Sequence, residues 1–295
     1  MIYTLTFNPA LDYAVYPSSL TLGKTNRSTK ERIDFGGKGI NVSYVLHQLG
    51  EPTTALGFVA GFTGEALCAM LEETGVRCDF VRLESGMTRI NVKIKGECET
   101  EINAAGPEIP QKALDALCEK LDRLTAEDTL LLAGSVPATL PRDIYETICT
   151  RLAERGVRLA VDAEGELLRS VLKYHPFVIK PNRDELSALS GRELTSDADV
   201  TCAAKELQAL GARNVLVSLG GDGALLLDET GAVHRAPAVG GKPVNTVGAG
   251  DSMVAGFLTG VRQGYEYALR LGVAAGGATA TSLSLASKEE IERLL

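Results

Sequence analysis

The sequence has few of the residues that bind zinc or form disulfide bridges. Its 295 residues include three histidines and six cysteines, and no two cysteines are spaced as C-x-x-C. This scatter argues against a zinc site and indicates free thiols, most of them buried as small hydrophobic side chains. Reduced thiols are the expectation for a cytoplasmic protein.

Long apolar runs and an excess of positive charge are also missing. No run approaches the roughly 18 apolar residues of a membrane span, and the first ten residues, MIYTLTFNPA, lack the basic start and apolar core of a signal peptide. The 30 Lys and Arg residues are outnumbered by 38 Asp and Glu residues, which gives a net charge of -8. We therefore predict a cytoplasmic protein with no nucleic-acid partner and no membrane partner, in which local contacts hold any bound phosphate.

What the sequence does contain is the alternating pattern of an α/β domain. With 45% hydrophobic and 23% charged residues, the chain can bury a sizeable core. Short apolar runs rich in β-branched residues alternate with helix-period segments, which predicts a doubly wound, mostly parallel sheet flanked by helices, in one domain of residues 1–295. The predicted strands cover residues 2–7, 53–59, 129–133, 158–161, 177–179 and 214–218. The predicted helices cover residues 40–49, 64–74, 111–124, 142–155, 183–189, 200–210, 249–263 and 265–281, with a last helical run from 288.

Two segments interrupt this pattern and predict a small antiparallel β lid. Residues 12–34 and 87–103 have short, alternating polar and apolar stretches without a helical period. In residues 88–94, the alternation places Arg89, Asn91 and Lys93 on one face of a strand. A face with two cations fits a lid over an anion, and it also fits an ordinary solvated sheet face. The alternation alone leaves both interpretations open.

A glycine-rich string, NTVGAGDS at residues 245–252, is the sharpest candidate site. A glycine turn that runs into a helix presents unpaired backbone N–H groups at the positive end of the helix dipole, which suits a phosphate or a developing phosphoryl anion. Asp251 would lie in the first helical turn beside that anion, placed to accept a proton from an attacking hydroxyl. Asp is also a good helix N-cap, and a bare G-x-G-D string would favour that structural role.

A second glycine-rich helix entry, GGKGINV, occupies residues 36–42. It either binds an anion, with Lys38 as a mobile charge, or makes a tight turn. It is not a dinucleotide fingerprint, because Val42 stands where the third glycine of G-x-G-x-x-G belongs, and this argues against a dinucleotide-dependent oxidoreductase. The segment Gly23-Lys24-Thr25 is not a Walker A loop, because Ser18 stands at the first glycine position. P-loop kinases are therefore disfavoured.

Together these two strings resemble the two signatures of the ribokinase-like (PfkB) carbohydrate kinases, and they occur in the right order. The resemblance implies a ribokinase-like α/β fold, ATP and Mg²⁺ as cofactors, and transfer of a phosphoryl group to a sugar alcohol. It covers essentially the whole chain. The other matching strings are NPALD at 8–12, TRINVK at 88–93, TEIN at 100–103, GSVP at 134–137, KPN at 180–182 and SLGGDG at 218–223.

The resemblance also implies roles for individual residues. Asp251 would be the general base, and the backbone amides of Gly248, Ala249, Gly250 and Asp251 would form the anion hole. The implied sugar-phosphate contacts are Asp12, Gly37, Lys38, Gly39, Asn41, Arg89, Asn91, Lys93 and Asn103. The implied ATP contacts are Lys180, Asn182, Ser218, Leu219, Gly220, Gly221, Asp222, Gly223, Gly250 and Ala275. Asn182 and Glu185 would organise Mg²⁺, mostly through water.

Ala275 belongs to the small-residue string AAGGA at residues 274–278, in a segment with a helical pattern. Such a string implies a close approach by another backbone or by a flat ligand. The resemblance implies that this helix lines the pocket for the adenine of ATP. Plain helix packing explains the string equally well.

Within the family, the strings NPALD, GGKGINV, TRINVKI and TEIN resemble the branch of 1-phosphofructokinases and tagatose-6-phosphate kinases. A substrate that already carries a phosphate requires fixed cations, and Lys38, Arg89 and Lys93 supply three. The resemblance thus implies transfer to the C6 hydroxyl of fructose 1-phosphate, with the C1 hydroxyl of tagatose 6-phosphate as the alternative. A non-catalytic sugar-phosphate-binding relative is the third interpretation, and it would be expected to lack Asp251.

Two further expectations follow from the resemblance. The wider family often has Asp at the first position of the second signature, where this chain has Asn245, so a charged helper at that position is in doubt. Relatives often pair through their lid strands, which makes a homodimer through those strands an expectation here too.

Overall fold

Strands and helices alternate along most of the chain. A computed structural model describes residues 1–96 and 98–295. The strands are β1 (Ile2–Thr6), β2 (Ala10–Pro17), β3 (Ser28–Gly36), β4 (Thr53–Ala60), β5 (Arg77–Cys78), β6 (Val81–Leu83), β7 (Arg89–Lys95), β8 (Glu99–Ile102), β9 (Thr129–Ala133), β10 (Arg158–Asp162), β11 (Val178–Ile179), β12 (Asn214–Ser218), β13 (Ala224–Leu227) and β14 (Val233–Ala236). The α-helices are α1 (Lys38–Gln48), α2 (Gly61–Glu73), α3 (Gln111–Leu121), α4 (Ile144–Ala153), α5 (Gly165–Val171), α6 (Arg183–Ser190), α7 (Asp197–Ala209), α8 (Ala249–Gly260), α9 (Tyr265–Thr281) and α10 (Lys288–Glu292).

The main sheet has the order β14-β13-β12-β11-β10-β9-β1-β4-β5, and β6 also pairs with β4. From β12 to β5 every pairing is parallel, whereas β13 and β14 add an antiparallel edge. Along β9, Leu130 and Leu132 face one hydrophobic layer and Leu131 faces the other. Burial on both faces explains why such strands are continuous apolar runs in the sequence. The predicted doubly wound, mostly parallel sheet is confirmed.

Helices cover both faces of this sheet. On one side, α3 and α4 bury Leu117 and Ile148, and α7 buries Leu207 in the same layer. On the other side, α1 contributes Val45 and α8 contributes Phe257. Among the residues that the structure describes, no helix has both the length and the apolar character needed to cross a membrane.

Four strands form a separate sheet, the lid sheet, in the order β3-β2-β7-β8. Its two outer pairings are antiparallel and the central β2–β7 pairing is parallel. The β2–β7 register places Asp12 beside Asn91 and Ala14 beside Lys93. Leu11, on the opposite face of β2, is buried in a small core with Leu67 of α2. The predicted lid is therefore present, and its polar face is turned away from that small core.

Helices α8 and α9 pack with their backbones in contact. A Cβ atom on Gly256 would lie 2.5 Å from the Leu271 carbonyl oxygen, and one on Gly272 would lie 2.9 Å from the Met253 carbonyl oxygen. Neither position has room for a side chain. A Cβ on Gly276 would likewise lie 3.0 Å from a carbonyl oxygen of α8. The close approach indicated by the small-residue string is thus made by a neighbouring helix.

Candidate active site

A cleft of about 540 Å³ lies between the carboxyl edge of the main sheet and the lid sheet. Its floor includes Thr6 at the end of β1, Ala133 at the end of β9, Asp162 at the end of β10 and Ser218 at the end of β12. The carboxyl ends of parallel strands are where doubly wound sheets bind ligands. The sequence-predicted site residues in the cleft wall are Asp12, Gly37, Lys38, Asn41, Arg89, Asn91, Lys93, Asn103, Lys180, Asn182, Glu185, Ser218, Gly248, Gly250 and Asp251.

Asp251 lies in the first turn of α8 and is only 7% exposed. Gly248 precedes the helix with a φ of 81°, a left-handed conformation that favours glycine. The N-cap position is therefore held by Gly248, and the Asp251 side chain does not cap the helix. Instead, the Nδ2 group of Asn41 donates a hydrogen bond to Asp251 Oδ2 at 2.8 Å. The two glycine-rich strings thus meet at this carboxylate.

The start of α8 has backbone N–H groups available for an anion. The Ala249 amide donates to the Thr246 carbonyl at 3.2 Å, so it is already paired. Within residues 1–96 and 98–295, no protein acceptor receives the amides of Gly250 and Asp251. The positive end of the helix dipole adds to the attraction for an anion at these two amides. Of the amides that the sequence predicts for an anion hole, that of Ala249 is therefore already paired, whereas those of Gly250 and Asp251 are available.

The surroundings of Asp251 make it a stronger base than an ordinary aspartate. Burial raises the pKa of Asp251, and the nearby Asp162 carboxylate raises it further, to about 6. The hydrogen bond from Asn41 and the charges of Lys38 and Lys180 act in the opposite direction. A carboxylate with this pKa is mostly ionised at neutral pH and accepts a proton more readily than one at the ordinary value.

Two lysines share one buried oxygen atom of Asp162. Lys38 Nζ lies 3.2 Å and Lys180 Nζ lies 3.4 Å from Asp162 Oδ1. Burial lowers the pKa of Lys38, but the Asp162 and Asp251 carboxylates outweigh it and raise that pKa, so the ammonium stays charged. The cleft therefore holds two lysine ammonium groups in fixed positions near the Asp251 carboxylate.

Asp162 was missed by the sequence analysis, although a signal for it exists. It is the last residue of β10 and directly follows the apolar residues Leu159, Ala160 and Val161. A carboxylate at the carboxyl end of a predicted parallel strand is expected to face the ligand edge of the sheet.

Side chains of the lid sheet surround Asp12. Lys93 Nζ lies 2.9 Å from Asp12 Oδ2, and Asn91 donates through Nδ2 to Asp12 Oδ1 at 2.9 Å. Glu101, a second residue that the sequence analysis missed, lies 3.8 Å from Lys93 Nζ. Both carboxylates offset the charge of Lys93, so this lysine offers less net charge to a phosphate than the sequence alone suggests. A Cβ atom on Gly36 would lie 2.8 Å from the Asp12 carboxylate, so the glycine makes room for it.

Arg89 is held at the lid side of the cleft by backbone carbonyl groups. Its Nε donates to the Asn8 carbonyl at 3.1 Å, and one terminal nitrogen donates to the Ala104 carbonyl at 3.4 Å. Burial lowers the pKa of Arg89, and the charge of Asp12 opposes this. Arginine remains protonated in proteins, and its remaining N–H groups have the fork geometry that suits a phosphate. Asn103 lies on the same wall.

The turn before α1 brings that helix close to β1. Gly37 has a φ of 120° and precedes the first helical residue, Lys38. A Cβ atom on Gly39 would lie 2.5 Å from Thr6 Oγ1 and 3.3 Å from the Leu5 carbonyl oxygen. Gly39 itself is buried beneath the cleft wall. Its contribution is to allow this close packing.

The SLGGDG segment forms a compact turn after β12. The Leu219 amide donates to the Gly223 carbonyl at 2.8 Å, and Asp222 accepts a hydrogen bond from Arg183 at 2.8 Å. Ser218 lies in the cleft wall, while residues 219–223 lie beside it. Ala275 is completely buried in the core between α9 and the main sheet, so the structure does not bring its side chain to the cleft. The small-residue string that indicated Ala275 is explained by helix packing.

Asn182 and Glu185 form a capping box at the start of α6. The Asn182 side chain accepts from the Glu185 amide, and the Glu185 carboxylate accepts from the Asn182 amide, both at 2.8 Å. Burial raises the pKa of Glu185, although the Asn182 amide and two lysines oppose this. The box fixes both side chains at the cleft wall.

Hard oxygen donors near this box fit a magnesium ion. Asp162 Oδ2 is buried, and no residue that the structure describes donates a hydrogen bond to it. Asp162 is also close enough to Glu185 to raise its pKa. In the described part of the chain, no three His, Cys, Asp or Glu side chains converge as a metal cage. Mg²⁺ keeps several of its waters and is commonly held by one or two carboxylates plus substrate phosphates, so this donor set suits it.

Sequence similarity relates the chain to known carbohydrate kinases. The pfkB family carbohydrate kinase model matches residues 5–292. A 1-phosphofructokinase of Bacillus subtilis is 44% identical over 100% of this chain and 97% of its own. A D-tagatose-1-phosphate kinase of Bacillus licheniformis is 38% identical over 99% of this chain and 97% of its own.

A solved structure shows the same fold. Phosphofructokinase-2 of Escherichia coli, in complex with fructose-6-phosphate, has a TM-score of 0.92 at 31% identity and covers 99% of this chain and 97% of its own. A tetrameric inhibited form of that protein has also been solved. The predicted ribokinase-like α/β fold is confirmed, and the family match extends over nearly the whole chain. The chain therefore belongs to the pfkB family of carbohydrate kinases.

Proposed function

We propose that this protein transfers the γ-phosphoryl group of ATP to the C6 hydroxyl of fructose 1-phosphate, which gives fructose 1,6-bisphosphate and ADP. The observation that carries the proposal is the position of Asp251. It is a buried carboxylate with a raised pKa, beside two available amides at the start of α8. A hydroxyl that approaches this point would meet a base and an anion site together.

The cleft supplies each part that the transfer requires. Arg89, fixed by two carbonyl groups, is proposed to bind the phosphate that the sugar already carries. Lys38, whose ammonium group lies beside Asp162, is proposed to assist as a second cation. Asp12, Asn41 and Asn91 would contact sugar hydroxyls, and the acceptor hydroxyl would then face Asp251.

Asp251 is proposed to take the proton from the acceptor hydroxyl as the hydroxyl attacks the phosphoryl group. The amides of Gly250 and Asp251 offset the negative charge of that group, and Lys180 adds a charge nearby. The lid sheet closes one side of the cleft, which limits access of water to the phosphoryl group.

The family implies ATP as the donor, and the nucleotide contacts remain a proposal. Ser218 lies in the cleft, and the turn of residues 219–223 follows it at the edge of the main sheet. Asp162, Glu185 and Asn182 would hold Mg²⁺, mainly through water. When bound, the ion would offset charge on the phosphates of ATP.

Three other sugar phosphates are reasonable competitors. The relative named D-tagatose-1-phosphate kinase points to tagatose 1-phosphate, which shares the C1 phosphate and differs from fructose 1-phosphate only at C4. Tagatose 6-phosphate, the alternative implied by the sequence resemblance, is the second competitor. Fructose 6-phosphate is the third competitor, because the Escherichia coli structure is a complex with that sugar phosphate. We favour fructose 1-phosphate because relatives named 1-phosphofructokinase reach the higher identity of 44%.

Steady-state kinetics with the four sugar phosphates side by side tests the proposal. We expect the highest kcat/KM for fructose 1-phosphate. A higher value for one of the other three would assign the substrate differently, because the ratio of kcat/KM values measures discrimination between substrates.

The lid sheet also suggests how two copies could associate. One row across its outer face joins Ile33, Tyr13, Val92 and Ile102 in register, and Ile33 and Ile102 are 53% and 59% exposed. We propose a homodimer through these strands, working in the cytoplasm. Analytical ultracentrifugation of the wild type and of Ile33→Glu tests the dimer, since the charge should yield a monomer.

A further inference from the structure

Three buried oxygen atoms of the cleft wall have no hydrogen-bond partner among residues 1–96 and 98–295. They are Thr6 Oγ1, Asn91 Oδ1 and Asp162 Oδ2. Buried polar atoms in folded proteins are nearly always paired, so an unpaired one in a cleft marks a place where a ligand or a water molecule supplies the partner. The proposed function already uses Asn91 and Asp162. Thr6 has no assigned role.

Thr4, two residues earlier on β1, shows what Thr6 lacks. Side chains two apart on a strand face the same way, and both threonines face α1. Thr4 Oγ1 lies 2.8 Å from Ser43 Oγ, which lies 2.9 Å from Thr53 Oγ1. The hydroxyl of Thr4 is therefore satisfied inside the protein. Thr6 is just as buried, at 5% exposure, but the position of α1 above it is Gly39, which has no side chain to offer.

The surroundings of Thr6 place it beneath the middle of the proposed sugar site. Its methyl group adjoins Gly37, and its hydroxyl adjoins Gly39. These glycines lie between Gly36, which adjoins Asp12, and Asn41, which bonds Asp251. A sugar phosphate whose reacting end faces Asp251 and whose phosphate faces the lid would place its ring next to Thr6, which lines the cleft.

We propose that Thr6 is a specificity-determining residue whose hydroxyl forms a hydrogen bond with a ring hydroxyl, on C3 or C4, of the bound sugar phosphate. The inference rests on the proposed function, since it presupposes a sugar phosphate in the cleft. Its consequence is selectivity, because a site that pairs a substrate hydroxyl rejects an analogue that lacks it. A contact at C4 would also separate fructose from tagatose, which differ at that carbon.

The test compares Thr6→Val, Thr6→Ser and Thr4→Val. Valine keeps the shape of threonine and removes the hydroxyl, serine keeps the hydroxyl, and the Thr4 variant removes a hydroxyl that is already paired. Each is assayed with fructose 1-phosphate and with its 3-deoxy and 4-deoxy derivatives. We expect Thr6→Val to lower kcat/KM on the parent sugar about 10- to 100-fold, while Thr6→Ser and Thr4→Val stay within about threefold of the wild type.

The deoxy sugars separate a direct contact from a structural effect. With the derivative that lacks the contacted hydroxyl, the wild type and Thr6→Val should have nearly equal kcat/KM values. The proposal would be overturned if Thr6→Val lost the same factor in kcat/KM on all three sugars. It would also be overturned if Thr6→Val had a kcat/KM close to that of the wild type on fructose 1-phosphate. If Thr6→Val does not fold, Thr6→Ala replaces it in the same comparison.

The wild-type rates keep this inference distinct from the proposed function. If the wild type does not phosphorylate fructose 1-phosphate, the proposed substrate is wrong. The Thr6 comparison is then made on whichever of the other three sugar phosphates is turned over. If none is turned over, both proposals are overturned.

Discussion

Replacement of Asp251 by asparagine should slow the reaction and stabilise the protein. Asparagine retains the shape of the side chain, and its carbonyl oxygen can still accept the hydrogen bond from Asn41, which spans 2.8 Å in the wild type. It has no basic carboxylate. We expect kcat to fall by about 10²- to 10⁴-fold, the usual contribution of a general base, with nearly unchanged ATP binding.

The expected gain in stability follows from the raised pKa. In the folded protein the pKa of Asp251 is raised from 3.8 to about 6. Because the unfolded chain ionises this group more easily, the ionised carboxylate opposes folding at every pH above the folded value. One pKa unit corresponds to about 1.4 kcal/mol, so the free energy of unfolding should rise by about 3 kcal/mol in Asp251→Asn at pH 8. At pH 5 roughly half of this gain in the free energy of unfolding should remain. Below the pKa that Asp251 has in the unfolded chain, no gain should remain.

Urea denaturation at pH 8 and pH 5 measures this gain. Asp228→Asn is the matched control, because Asp228 is also buried but has the opposite shift. Burial raises its pKa, yet hydrogen bonds from Thr230, Ala232 and His234 outweigh this and lower it. Its replacement should destabilise the protein. A wild-type rate for Asp251→Asn would remove the residue from its proposed role, and a loss of stability at pH 8 would refute the electrostatic reasoning.

Four further outcomes are expected. Arg89→Ala should raise KM for the sugar phosphate about 10- to 100-fold with a smaller effect on kcat, because a ground-state phosphate contact is lost. Steady-state kinetics measures both constants. An unchanged KM would mean that the substrate phosphate binds elsewhere. Gly256→Ala should lower the free energy of unfolding by about 2 kcal/mol or more, since its Cβ would lie 2.5 Å from a carbonyl oxygen. Thermal melts measure this loss. Gly241→Ala is the control, and it should change stability little because the space around Gly241 is open. Asp162→Ala should cost about 3 to 5 kcal/mol in urea denaturation, because it leaves the buried ammonium group of Lys180 without its ion-pair partner, and a neutral result would contradict that pairing. At saturating substrate, kcat should rise with pH through about 6 as Asp251 loses its proton, and the residual activity of Asp251→Asn should lack this limb.

The sequence predicted the buried parallel strands of the main sheet well, including the two-residue β11, and missed several other short elements. β9 and β12 agree with their predicted bounds because each is an apolar run buried on both faces. The hairpin of β13 and β14, the helix α5 and the two-residue strand β5 were not predicted. Elements this short depend on neighbouring strands and helices for their stability, and the local sequence does not encode those neighbours.

Some parts of the candidate site were likewise predictable from the sequence, and others were not. Contiguous glycine strings reveal the turns before α1 and α8, because a left-handed backbone or a close approach requires glycine at fixed positions. Glu101 and Thr6 are single residues, remote from each other in sequence, and only the strand order brings them to one cleft. Asp162 does have a local signal, because it ends an apolar strand. Ala275 was included because small residues serve a flat ligand and a helix interface equally well, and here they serve the interface.

The most direct test of the central claim is to identify the product by ³¹P NMR after incubation of the protein with MgATP and fructose 1-phosphate. The account predicts one new phosphomonoester at C6 in an amount equal to the ADP formed, with the same product formed far more slowly by Asp251→Asn. Release of inorganic phosphate in place of the C6 ester, or formation of the ester at an equal rate by both proteins, would contradict it.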